Sequence, residues 1–106
     1  MNVPNISALL LSAGLSTRTG LNKATLNWIG KPLIVFQIDC LKSVGFREII
    51  VILGHASNEL RKILPADPDI KLVNNKHYMQ GQTSSIKCGL SHLSQDSDGV
   101  MIVNVD

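Results

Sequence analysis

The stretch Glu48-Ile49-Ile50-Val51-Ile52-Leu53 is apolar at every position after the glutamate. A strand with one face in water alternates polar and apolar residues. An unbroken one must be covered on both faces, which is the situation of a parallel sheet between helices. Ile6 to Leu11, Ile70 to Val73 and Val100 to Val105 are further apolar runs, and helix-period segments separate them. This alternation predicts an α/β fold: three layers, α/β/α, with a mostly parallel, Rossmann-like sheet. Four strands make about half of a doubly wound sheet. The chain therefore reads as truncated after its fourth strand, with residues 1–106 as the N-terminal part of a single domain.

Local signals fix the expected helices. Pro32 suits a first helical turn, where its missing N–H is no loss. Leu33, Phe36, Gln37, Cys40, Leu41 and Val44 then follow helical spacing, and Gly45 stops the helix. A second helix is expected from about Ser57 through Asn58 to Leu64, before a surface loop at Pro65 to Asp69. Asn74 to Gln82 reads as a polar loop. Thr83-Ser84-Ser85 offers N-cap hydroxyls for a third helix to about Leu93, with Ile86, Gly89, Leu90 and Leu93 as its buried stripe. Residues 12–31 read as loop with a short extended piece around Thr25 to Trp28, and Trp28 as a packing residue.

Hydrophobic content of 44% against 17% charged residues argues for a packed core and against disorder. A net charge of +2 with no basic run interleaved with aromatics points away from nucleic acid. The first apolar run is too short for a signal sequence or a membrane span, so a cytoplasmic location is expected. Cys40 and Cys88 form no C-x-x-C pair and are expected to be buried thiols. His77 and His92 have no partners at metal-ligand spacing.

The chemistry concentrates in Leu11-Ser12-Ala13-Gly14-Leu15-Ser16-Thr17-Arg18-Thr19-Gly20-Leu21-Asn22-Lys23, which follows directly on the first strand. Gly14 and Gly20 permit positive φ and close approach of a ligand. Successive N–H groups in such a loop form an anion-binding concavity, while Arg18 supplies a rigid fork and Lys23 a point charge. Neither G-x-x-x-x-G-K-[ST] nor G-x-G-x-x-G occurs here, so the common phosphate loops are excluded.

The run from Ser12 to Gly20, with Lys23 and the later Gly30-Lys31-Pro32-Leu33, resembles the opening of the molybdenum cofactor nucleotidyltransferases, closest to their cytidylyltransferase branch. Ser12 stands where that family more often has Ala, and Thr19 where it often has Met. Asn75-Lys76-His77-Tyr78-Met79-Gln80-Gly81-Gln82-Thr83-Ser84-Ser85-Ile86-Lys87-Cys88-Gly89-Leu90 is similar to a second family segment, with Lys76 in place of a common Pro. Gly54-His55 matches a Gly-His pair of the cytidylyltransferase branch, but His55 itself reads first as a turn histidine with a structural hydrogen bond.

The resemblance implies a MobA-like NTP transferase that joins CMP from Mg·CTP to a molybdopterin acceptor and releases pyrophosphate. It implies that Ala13, Gly14, Gly81 and Ser85 hold base and ribose, that Ser16, Arg18 and Lys23 hold phosphates, and that Asp106 binds Mg²⁺. Arg18 and Lys23 would then be the catalytic charges. Ser16 bonds either a phosphate or its own loop. An ordinary glycine turn and helix cap would explain Gly81 and Ser84 equally well. Rival readings are a guanylyltransferase, a sugar-phosphate nucleotidyltransferase, a non-catalytic nucleotide-binding fragment, and a homo-oligomer formed through an exposed sheet edge.

Overall fold

A computed structural model of the chain describes residues 5–12, 27–28, 31–54, 61–64, 67–77 and 80–104. Strand β1 (Ile6–Leu11) is followed by two short strands, β2 (Asn27–Trp28) and β3 (Lys31–Pro32), and by helix α1 (Leu33–Val44). Strands β4 (Ile49–Leu53) and β5 (Ile70–Asn74), helix α2 (Gln82–Leu90) and strand β6 (Gly99–Asn104) complete the described elements; residues 61–63 are also helical. The main sheet has the order β5-β4-β1-β6. All its pairings are parallel, with Leu9 opposite Ile50 on one side and Ile102 on the other. Strands β2 and β3 form a separate antiparallel pair, Asn27 with Pro32 and Trp28 with Lys31.

The unbroken apolar strands are buried because both faces are packed. Ala8, Leu10, Ile49, Val51 and Leu53 form one core with Ile34 and Ile38 of α1 and with Leu64. Leu9, Leu11, Ile50 and Ile52 point the other way, with Ile86 of α2, Val73, Leu93 and Val100 packed against them. The period of two along β1 and β4 thus divides one sheet between two helical layers. Ile49 to Leu53 are all 0% exposed, and burial of each such side chain contributes about 1.5–3 kcal/mol. On the second face α2 lies very close to the sheet. A Cβ added at Gly89 would stand 2.1 Å from Leu9 Cδ1, so glycine is what permits this approach.

Several local expectations are corrected. Pro32 is not in the helix: it pairs with Asn27 in β3, and α1 begins at Leu33. Helix α1 buries Ile34 and Ile38, while Val44 is 76% exposed and Cys40 is exposed. Ile34, Ile38 and Leu41 form an i, i+4, i+7 stripe opposite the exposed Asp39 and Ser43, and it is this stripe that meets the sheet. Neither cysteine is a buried thiol, Cys88 being half-buried, and both are free. Gly45 does end α1, with φ +114. Phe46 N–H donates to Leu41 O (3.2 Å) and Gly45 N–H to Lys42 O (3.1 Å), the two bonds of a Schellman motif. Helix α2 begins at Gln82 and ends at Leu90, shorter than expected, and Leu90 is exposed. Its N-cap is Gly81, with no side-chain cap, so the Thr83-Ser84-Ser85 hydroxyls lie inside the first turns.

The amino edge of the sheet is tied by a charged cluster. Glu48 accepts from Lys71 Nζ (2.6 Å), Ser7 Oγ (2.7 Å) and Ser94 N–H (3.2 Å), and the Ser97 hydroxyl lies 2.8 Å from that of Ser7. Burial opposes ionisation of Glu48, but these donors outweigh it and hold the carboxyl down at about 2. A carboxylate depressed in the folded state stabilises the fold fully above its unfolded value of 4.5, and that contribution is lost as pH falls toward 2. With Lys71 44% exposed and therefore screened, its size is about 2 kcal/mol. Denaturant unfolding is expected to show stability falling between pH 4.5 and 2. Glu48→Gln should cost about 2 kcal/mol at pH 6 and flatten that decline. An unchanged pH profile in Glu48→Gln would remove Glu48 from this role.

Candidate functional site

Strands β1, β4 and β5 step outward in one direction, and β6 then falls on the other side of β1. Strand order reverses between β1 and β6. In open α/β sheets ligands bind in the crevice beyond the carboxyl ends of the strands at such a reversal. Helices that connect parallel strands run back against them, so α1 and α2 both begin at this carboxyl edge. Ser12, which leads out of β1, is buried; its N–H (3.1 Å) and its hydroxyl (2.8 Å) both donate to Ile52 O. The chain that follows Ser12 therefore leaves from a fixed point beside β4.

Across the crevice, Asn104 ends β6 opposite Leu11 of β1. It is reached from both helical layers. Gln82 Nε2 of α2 donates to Asn104 Oδ1 at 2.8 Å, and Gln37 Nε2 of α1 lies 3.4 Å from Asn104 O. Gln37 Oε1 is buried and has no hydrogen-bond partner among the described residues. These amides gather the starts of both helices around the end of β6.

A second polar cluster lies where β5 ends. Asn75 is 5% exposed, and its N–H donates to Leu53 O at 2.7 Å. Its Oδ1 accepts from His77 N–H at 3.0 Å, an Asx-turn. Its Nδ2 donates to Ser84 Oγ (2.9 Å) and Ser85 Oγ (3.0 Å). Ser84 Oγ lies 2.8 Å from Gly81 O and 2.9 Å from His77 O, so its single proton is engaged by backbone. Gly81, at φ +102 and ψ −179, leads this turn into α2. That region of backbone space is open essentially to glycine alone.

Of the residues singled out from sequence, Gly81 and Ser85 meet at the start of α2, and Ser85 is 4% exposed. Ala13, Gly14, Ser16, Arg18, Lys23, His55 and Asp106 lie outside the described residues. His77 and His92 are exposed, and among the described residues no group of three or more His, Cys, Asp or Glu is placed to hold a metal. No described helix is long and apolar enough to cross a membrane. Sequence reasoning missed Asn75 as a hub, and it missed Asn104 with Gln37 and Gln82. Only Asn75 left a signal, an Asn at a strand end followed by a polar turn.

The order-reversed parallel sheet with helices packed on both faces defines a doubly wound α/β fold. The MobA-like NTP transferase domain matches residues 8–106, and the chain belongs to that family. It is 28% identical over 101 residues to the bifunctional protein GlmU of Geobacter sulfurreducens, covering 93% of this chain and 21% of that protein. It is 30% identical over 94 residues to a probable molybdenum cofactor guanylyltransferase of Natranaerobius thermophilus, covering 87% and 43%. The solved structure of the CTP:phosphocholine cytidylyltransferase LicC from Streptococcus pneumoniae superposes with a TM-score of 0.74 at 27% identity, covering 96% of this chain and 45% of that one. The chain spans less than half the length of each of these proteins.

Replacing Gly81 by Ala forces a side chain into a glycine-only conformation, although open space surrounds the position. Gly81→Ala is expected to destabilise the chain by about 1–3 kcal/mol in urea unfolding. A loss below about 0.5 kcal/mol would mean that the turn relaxes without strain.

Proposed function

We propose that this chain is the nucleotide-binding part of a nucleotidyltransferase that transfers CMP from CTP to a molybdopterin-type acceptor. The observation that carries the reading is the place of Ser12, fixed at the carboxyl end of β1 beside the β1/β6 reversal, from which the sequence runs on to Lys23. Family membership supports nucleotidyl transfer. The Gly54-His55 pair and the Gly81-to-Ser85 segment favour cytidine. The guanylyltransferase among the relatives keeps guanine as the second reading.

In this reading Ala13, Gly14, Gly81 and Ser85 hold base and ribose, while Ser16, Arg18 and Lys23 hold the triphosphate. An oxygen of the acceptor's terminal phosphate forms a bond to the α-phosphorus. The bond from that phosphorus to the bridging oxygen breaks, and pyrophosphate leaves with the electron pair. Arg18 and Lys23 offset the charge that grows on the leaving group, so catalysis is positional and electrostatic. The donor chemistry suits Mg²⁺: in sequence Asp106 comes two residues after Asn104, which ends β6, and a carboxylate with triphosphate oxygens is the usual Mg²⁺ environment. When bound there, Mg²⁺ would neutralise phosphate charge. The two free cysteines suit the reducing cytoplasm, where we place the protein.

Equilibrium titration with Mg²⁺ and each of CTP, GTP, ATP and UTP tests this reading. CTP is expected to bind tightest, and Arg18→Ala or Lys23→Ala to weaken it by about 10- to 100-fold. Tighter GTP binding would overturn the base assignment, and no binding of any nucleotide would overturn the function.

A further inference from the structure

The donors and acceptors around Asn75 can be assigned without ambiguity, and they fix the direction of a hydroxyl one turn into α2. The His77 N–H can only donate, so the Asn75 side-chain atom 3.0 Å from it must be the oxygen. The amide nitrogen then faces Ser84 and Ser85, and it too can only donate. Ser85 Oγ must therefore accept at 3.0 Å. Its own proton is turned away from Asn75 and is given to no acceptor among the hydrogen bonds of the described residues. Ser84 differs, because its proton is engaged by Gly81 O and His77 O.

We propose that Asn75 is a positioning residue that holds Ser85 as a hydrogen-bond donor, so that Ser85 selects an acceptor oxygen or ring nitrogen on the nucleoside. The inference rests on the nucleotide-binding reading and adds the polarity of one contact. Asn75 suits the task because it is anchored twice through backbone: its own N–H on Leu53 O and its Oδ1 on His77 N–H. An aspartate in its place has nearly the same shape but accepts where the amide donates. Ser85 would then turn its proton toward residue 75 and present only lone pairs elsewhere.

The test compares wild type, Asn75→Asp, Ser85→Ala and the double variant, by titration with Mg·CTP and with inorganic triphosphate. Each single variant is expected to weaken CTP by about tenfold, roughly one lost hydrogen bond. The double variant should be no weaker than Ser85→Ala, because both remove the same bond. Inorganic triphosphate, which has no nucleoside, should bind all four alike; a merely structural defect would weaken both ligands. Wild-type CTP affinity in Ser85→Ala, or in Asn75→Asp, would overturn the proposal and leave the nucleotide-binding reading standing. Wild type that binds no nucleotide would overturn both. A ligand-free measurement guards against misfolding of Asn75→Asp. In NMR spectra the Asn75 side-chain amide protons should shift in Ser85→Ala and Ser84→Ala, and unmoved resonances would contradict the assignment.

Discussion

Strand β1 is hydrogen-bonded on both sides, to β4 and to β6, and Ala8 to Leu10 are wholly buried between the two helical layers. The rest of the arrangement depends on that central position. With β1 in the middle, the sheet has to reverse its order beside it, and the reversal opens a crevice at the carboxyl end. In sequence the glycine-rich segment begins where β1 ends, so its first residue, Ser12, is fixed by the most deeply held strand. Ser12 extends the hold by bonding Ile52 O through both backbone and hydroxyl. The Ser12 hydroxyl is buried but satisfied, which removes the usual cost of burying it.

The two ends of the sheet are finished differently. The amino edge is closed by the ionised Glu48 with Lys71 and serine hydroxyls. The described part of the carboxyl edge is held by neutral amides and hydroxyls: Asn75 with Ser84 and Ser85, and Asn104 with Gln37 and Gln82. Neutral groups keep directed hydrogen bonds without adding charge. In the proposed function the charge that meets a triphosphate is supplied by Arg18 and Lys23, and the carboxylate by Asp106.

Strand β4 was legible because an unbroken apolar run implies coverage on both faces, and it is wholly buried; β1, β5 and β6 join it in the parallel sheet, with Met101 and Ile102 of the edge strand β6 exposed. Gly45 was legible as a helix stop because the residue after a helix commonly adopts positive φ. The buried face of α1 was not: Leu33, Phe36, Cys40 and Val44 also follow helical spacing, but the sheet covers the Ile34, Ile38 and Leu41 stripe that lies opposite Asp39 and Ser43. Nor was the cap of α2. Three hydroxyl residues in a row suggest a side-chain cap, yet Asn75 engages Ser84 and Ser85 from another element, and Gly81 takes the cap position. At the candidate site the sequence pointed to Gly81 and Ser85. The amides that organise the crevice come from α1, α2, β6 and the end of β5, and no linear pattern joins them.

Hydrogen–deuterium exchange of the chain with and without Mg·CTP reads the central claim directly, because it locates the ligand without requiring turnover. Bound nucleotide should slow exchange in two separated peptides, residues 13–26 and residues 80–86, with little change at the amino edge around Glu48 and Ser97. Protection that spares residues 13–26 while CTP is demonstrably bound would contradict the account.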